Sequence, residues 1–192
     1  MDFDAFFAAE FAEHRAVLEA TQAAVREPLR RLVTLGAAAI RNGNKLMFFG
    51  NGGSAADAQN LATELAVRYI KDRAPIAAVA LTTDSSVLTA IGNDLGFELV
   101  FARQIDAIGR PGDVAVGITT SGRSANVLRG LEAAKQRGIT PAAFTGGNGG
   151  KLPGLADPLV VVPSATTARI QEMHILVGQM LCGALEQELG LV

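Results

Sequence analysis

The sequence predicts an α/β fold, a parallel sheet covered on both faces by helices, and three observations predict it. Short continuous apolar runs of strand length recur at Lys45–Gly50, Ile76–Leu81, Asp113–Ile118, Thr140–Thr145 and Pro158–Val162. Helical patterns fill the intervals between them, and buried strands alternating with helices form a parallel sheet in a three-layer α/β/α sandwich. Glycine and proline punctuate only the junctions, so residues 1–192 read as a single domain without linker, repeat or low-complexity segment.

The elements follow in order. From Phe3 to about Val25 the chain reads as an amphipathic helix, because Phe3, Phe7, Phe11 and Leu18 recur at spacings of four and seven with Asp4, Glu10, Glu13 and Glu19 between them. Pro28 suits the first turn of a second helix that runs to Arg41 and ends at Asn42-Gly43-Asn44. Residues 1–42 therefore form an N-terminal helical extension, and its greasy face is expected to take part in oligomerisation. After the first strand a helical pattern continues through Ile70, and the last element, from Ala168 to about Leu189, is a long helix.

Composition narrows the function classes. Seventeen Lys and Arg against nineteen Asp and Glu give a formal net charge of −2, with no basic run to displace counterions from nucleic acid. No apolar stretch approaches the ~20 residues of a membrane-spanning helix. A single Cys permits no internal disulfide, and the first residues do not read as a secretory signal, so the expected compartment is the cytoplasm. Two His and one Cys leave little material for a metal site of nitrogen and sulfur ligands. With 49% hydrophobic and 19% charged residues, more apolar surface must be buried than one small domain can hold, so self-association is expected.

Ligands of open parallel sheets bind beyond the carboxyl ends of the strands. Three loops there are unusual. Gly50-Asn-Gly-Gly-Ser54-Ala-Ala-Asp57 follows the first strand, and its glycines allow a ligand close to the backbone while Ser54 and Asp57 fit a capping box. Thr119-Thr120-Ser121-Gly122-Arg123-Ser124 follows the third strand and brings hydroxyls to a helix N-terminus, a combination that binds phosphoryl groups. Thr145-Gly-Gly-Asn-Gly-Gly150 follows a later strand. Together they point to a phosphorylated small molecule. Asn60, Glu64 and Arg68, spaced four apart on the helix after the first loop, form a polar stripe that begins at that cleft, open either to a surface Glu64–Arg68 pair or to a role in the site. Asn93, Asp94 and Gln171 are further polar candidates.

The segments Gly50–Gln59, Leu88–Asp94, Thr119–Asn126, Thr145–Gly150 and Arg169–His174, in this order and over nearly the whole chain, resemble the sugar isomerase (SIS) fold family and its phosphoheptose isomerase group. The resemblance implies a five-stranded parallel sheet and a homotetramer with active sites at subunit interfaces. It implies aldose–ketose isomerisation of sedoheptulose 7-phosphate to D-glycero-D-manno-heptose 7-phosphate, a precursor of lipopolysaccharide and related glycans. Substrate contacts fall by resemblance on Asn51, Gly52, Gly53, Asn93, Asp94, Thr119, Thr120, Ser121, Ser124 and Gln171. Glu64 matches the catalytic base, and Arg68 is assigned to the substrate as well.

The resemblance also implies zinc, held by two His, the Glu at 64 and the Gln at 171. Here the chain departs from the pattern: Asn60 and Gln179 stand where the two His belong, and Ala168 replaces an Asp. Amides are weak zinc ligands and do not act as acids or bases near neutral pH. The alternative reading is a non-catalytic SIS protein that binds a phosphosugar or associates with the replication initiator.

Overall fold

A computed structural model describes residues 1–192. Five strands, β1 (Leu46–Gly50), β2 (Ala78–Ala80), β3 (Val114–Ile118), β4 (Thr140–Gly146) and β5 (Leu159–Val162), form one sheet in the order β2-β1-β3-β4-β5, with every neighbouring pair parallel. The helices are α1 (Phe3–Arg41), α2 (Gly53–Ala66), α3 (Ser85–Asp94), α4 (Ala102–Ile108), α5 (Ala125–Gln136) and α6 (Thr167–Glu188). The pleat sends successive side chains to opposite faces. Leu46 and Phe48 of β1 pack with Leu61 and Leu65 of α2 and with Val177 and Leu181 of α6. Met47 and Phe49 pack with Ile91 of α3, Ile105 of α4 and Val127 and Leu131 of α5. The expected α/β/α sandwich is present, and the strand order reverses between β1 and β3, which opens a crevice between the loops that leave them.

Two helix boundaries differ from the sequence reading. The two N-terminal helices are one helix of 39 residues with Pro28 inside it. Pro28 removes the bond to the carbonyl of Ala24, which lies on the exposed side where water satisfies it. An interior proline costs about 3 kcal/mol. Val25, Leu29 and Leu32 are buried against α6 and the sheet, at about 1.5–3 kcal/mol each, and that burial overrides the break. Near its N-terminal end this helix turns an aromatic side to solvent: Phe3, Phe6, Phe7 and Phe11 are all more than half exposed, and the rings of Phe7 and Phe11 lie 4.8 Å apart, tilted by 45°.

The second difference is α2, which stops at Ala66 instead of continuing to Ile70. The Arg73 guanidinium takes the carbonyls of Glu64 (2.8 Å) and Leu65 (2.7 Å), which satisfies the last turn and lets the chain double back.

Two buried titratable groups tie elements to the sheet. Asp113 accepts from the backbone N–H groups of Lys45 and Arg110, the Asn44 amide and the Lys45 ammonium (2.6 Å), fastening β1 to β3 at their start. Burial pushes its carboxyl up, but these donors outweigh burial and hold it below the ordinary value of 3.8. His174 of α6 donates from Nε2 to the carbonyl of Thr145, and burial lowers its pKa from 6.5 to about 4, so the ring is neutral. Its place inside the sandwich is structural. Both shifts favour the folded chain only above the unfolded pKa. Stability is therefore complete above pH 6.5, falls as the unfolded state takes up the His174 proton between 6.5 and about 4, and falls further as Asp113 is protonated below 3.8. Urea unfolding followed by circular dichroism over that range is expected to lose about 3 kcal/mol in the first stage. His174→Gln, which does not titrate, should flatten that stage and leave the second.

Candidate active site

The loop after β1 turns sharply into α2. Gly52, not Ser54, is the N-cap, and Ser54 is buried in the first turn without a capping bond, so the expected capping box does not form. Asn51 and Asn126 exchange two amide hydrogen bonds of 2.8 Å, tying this loop to the first turn of α5. At Gly53 a Cβ would stand 2.5 Å from Nε2 of Gln171, so the absence of a side chain is what lets the start of α6 lie against the start of α2. Gln171 itself forms no hydrogen bond within the chain, which leaves its amide for a ligand.

The hydroxyl loop lies between β3 and α5. Thr119 Oγ1 and Ser124 Oγ are 3.1 Å apart, and Ser121 Oγ accepts from the backbone N–H of Arg123, which leaves the Ser121 proton to donate elsewhere. Ser124 is the N-cap of α5 but makes no capping bond, so the N–H groups of Ala125 and Asn126 are unspent at the positive end of the helix dipole. The loop after β4 locks onto this one through the N–H of Lys151, which donates to the carbonyl of Gly122 (2.9 Å). An open polar depression of about 220 Å³ lies between them, lined by Thr120, Ser121, Arg123, Asn148, Ser164 and Thr167. Hydroxyls and a guanidinium around such a space suit an anion of phosphate size.

One turn of helix separates Asn60 from Glu64 on α2, and α6 faces both. Gln179 Nε2 donates to Asn60 Oδ1 at 2.6 Å. The Glu64 carboxylate is half-buried and has neither ion pair nor hydrogen bond within the chain. Behind it Cys182 is buried, and desolvation first, then the charges of Glu64 and Glu186, push its thiol up to about 12. Of the groups around Glu64 on this side, the thiol is therefore neutral and unreactive at physiological pH.

Asn51, Gly52, Gly53, Thr119, Thr120, Ser121 and Ser124 lie in the loops that leave β1 and β3, with Gln171 beside Gly53, whereas Glu64 lies eleven residues along α2 near Cys182 of α6. Arg68 does not join them: α2 ends before it, and it is exposed without a bond to Glu64, so the Asn60–Glu64–Arg68 stripe is broken at its last member. Asn93 and Asp94 end α3 at the surface, bonded to each other (2.7 Å) and to none of the other candidates. His14 lies on α1 against Glu172 (2.7 Å). Sequence reasoning missed Asn126 as a partner of Asn51; its one signal was an amide on the otherwise apolar inner side of a helix that carries Val127 and Leu131.

Comparison with known proteins agrees with this geometry. The model of the SIS domain matches residues 11–146. The chain belongs to the SIS-domain family. It is 57% identical over 97% of both chains to a phosphoheptose isomerase of Paramagnetospirillum magneticum, and 57% identical over 79% of both to that of Aquifex aeolicus. Among solved structures, a phosphoheptose isomerase of Neisseria gonorrhoeae superposes with a TM-score of 0.90 at 44% identity, covering 96% of this chain and 99% of that one. One from Francisella tularensis superposes at 0.93 and 33% identity, covering 97% and 100%. Within the SIS domains, this one stands with the phosphoheptose isomerases.

The donor set tests the zinc that the resemblance implied. No three His, Cys, Asp or Glu side chains gather in this SIS domain. Along the contact of α2 with α6 are Glu64 and the three amides of Asn60, Gln171 and Gln179, and the Asn60 oxygen is already taken by Gln179. Zinc sites of this kind need imidazole or thiolate, so these residues do not fit zinc. The Asn60–Gln179 bond acts instead as a direct tie between α2 and α6. A double-mutant cycle with Asn60→Ala and Gln179→Ala, read by urea unfolding, is expected to give a coupling of about 0.5–1.5 kcal/mol, unchanged by added zinc.

Proposed function

We propose that this protein is a phosphoheptose isomerase that interconverts sedoheptulose 7-phosphate and D-glycero-D-manno-heptose 7-phosphate without a step through zinc. The observation that carries the reading is a complete hydroxyl loop at the N-terminus of α5 together with a carboxylate, Glu64 of α2, that has no partner of its own. Phosphate sits on Thr119, Thr120, Ser121, Ser124 and the free N–H groups of α5. Asn51, Gly52 and Gly53 border the sugar. Glu64 removes the proton from the carbon beside the carbonyl and returns it to the neighbouring carbon of the enediol, in a site completed between copies of the chain, because Gln171 lies beside Gly53, about three turns of α2 from Glu64. The hydroxyl proton moves between the adjacent oxygens through water.

The assembly belongs to the proposal. The apolar side of α1 and α6 carries a groove of about 580 Å³ lined by Leu18, Val25, Leu29, Val33, Leu176 and Met180, and the Phe residues at the start of α1 are exposed. Both support a homotetramer in which neighbouring copies cover these surfaces, with Arg68, Asn93 and Asp94 assigned to sites shared between copies. No helix is long and apolar enough to cross a membrane, and the net charge of −2 supports no direct contact with nucleic acid. We place the activity in the cytoplasm, on a precursor of lipopolysaccharide.

The Asn60–Gln179 bond favours one second reading, an SIS module that binds a phosphosugar, or a protein such as the replication initiator, without turnover. A coupled assay on sedoheptulose 7-phosphate separates the two. The isomerase reading expects turnover in the absence of zinc, a fall of about 10²–10⁴-fold in kcat for Glu64→Gln, and a KM about tenfold higher for Ser121→Ala. Binding of the sugar phosphate with no turnover, with or without added zinc, would leave the second reading.

A further inference from the structure

We infer that Arg73 is a positioning residue for Glu64, acting through a buried clasp with Glu186. The inference rests on Glu64 being the base. Arg73 and Glu186 form an ion pair of 2.7 Å with side chains 1% and 2% exposed, the most deeply buried pair of charges in the chain. Glu186 lies on α6, two turns beyond Gln179, and the same oxygen that takes Arg73 Nε also accepts from the backbone N–H of Tyr69 (3.1 Å). The other side of the guanidinium holds the end of α2. Nη2 donates to the carbonyl of Glu64 itself (2.8 Å), and Nη1 to those of Leu65 (2.7 Å) and Ala74 (3.0 Å).

The residue proposed to move protons is thus fixed at its own carbonyl by a group anchored on α6. One turn earlier, Asn60 is tied to α6 by Gln179. Glu64 is bracketed by these two ties, and its carboxylate stays free because the clasp holds the backbone and leaves the side chain alone. A helix end held only by its own last turn frays, which spreads the carboxylate over positions from which a proton cannot be taken. A displacement of about 1 Å at a reacting group costs about 100-fold in rate. Only a planar fork of donors serves Glu186 and three carbonyls together, so a lysine at 73 keeps the charge and loses the clasp.

Kinetics on the full-length protein with sedoheptulose 7-phosphate test this, using Arg73→Lys, Glu186→Gln and Glu64→Gln, with thermal unfolding alongside. Arg73→Lys is expected to lower kcat about 10- to 100-fold. Its KM should change less than about twofold, because the hydroxyl loop on β3 and α5 has no contact with the clasp. Glu186→Gln keeps an oxygen for Arg73 Nε but leaves the guanidinium charge buried without a counter-ion, so it should lower kcat in the folded protein as well as the unfolding temperature. Wild-type kcat in a folded Arg73→Lys, or a loss of kcat that only tracks the fraction of protein unfolded, overturns the inference. If Arg73→Lys does not fold, Glu186→Asp, which draws the acceptor back by one methylene, carries the same expectation and the same failure. Full activity in Glu64→Gln, or no turnover in the wild type, removes the reading of Glu64 and the clasp with it. An inactive Glu64→Gln beside a fully active Arg73→Lys removes the clasp alone.

Discussion

Leu61 of α2 fills the space over Gly178 of α6, where a Cβ would stand 2.7 Å from the leucine side chain, and this close approach sets the spacing of the two helices. Everything polar that follows uses the distance it fixes. Asn60 and Gln179 can meet in one hydrogen bond because the helix axes are this near, and the Arg73 fork can reach from Glu186 to the last turn of α2 for the same reason. At the other end of the same pair of helices, Gln171 lies over Gly53. Packing of small against large residues therefore comes first, and the arrangement of amides and charges is its consequence.

The electrostatics are simple because most of the interior is kept neutral. His174 carries no charge down to about pH 4 and Cys182 none up to about 12, so neither competes with Glu64 for protons over the range in which a sugar-phosphate isomerase works. The deep charges, Arg73 and Glu186, neutralise each other and are saturated with hydrogen bonds, the condition under which a buried pair is tolerated at all. Anion recognition is separated from this region and built chiefly from hydroxyls and backbone N–H groups of the loop after β3, whose geometry does not depend on titration.

Much of this was legible in the chain. Each strand run came out as a strand, and the three loops picked out by their glycines and hydroxyls do lie at the carboxyl ends of β1, β3 and β4, because apolar runs and loop chemistry are local signals. What escaped the sequence is non-local. Pro28 reads as a boundary, but burial of Val25, Leu29 and Leu32 on distant α6 and the sheet carries the helix through it. The stripe of Asn60, Glu64 and Arg68 assumes a helix that Arg73 ends early, in partnership with a residue 113 positions away. Asn51 and Asn126 are 75 positions apart. No spacing rule reaches across such intervals; only the sheet order brings these residues together.

The Asn60–Gln179 bond spends one oxygen of one amide and one nitrogen of the other, which leaves Gln179 Oε1 to accept and Asn60 Nδ2 to donate. Rotating both amides by half a turn exchanges these roles without breaking the bond. The α2–α6 contact thus carries an ambidextrous hydrogen-bonding edge, able to present a donor and an acceptor in either order at no change in charge. A pair of imidazoles locked on a cation has no such freedom, so amides at these two positions leave the helix contact adaptable where a metal would have fixed it.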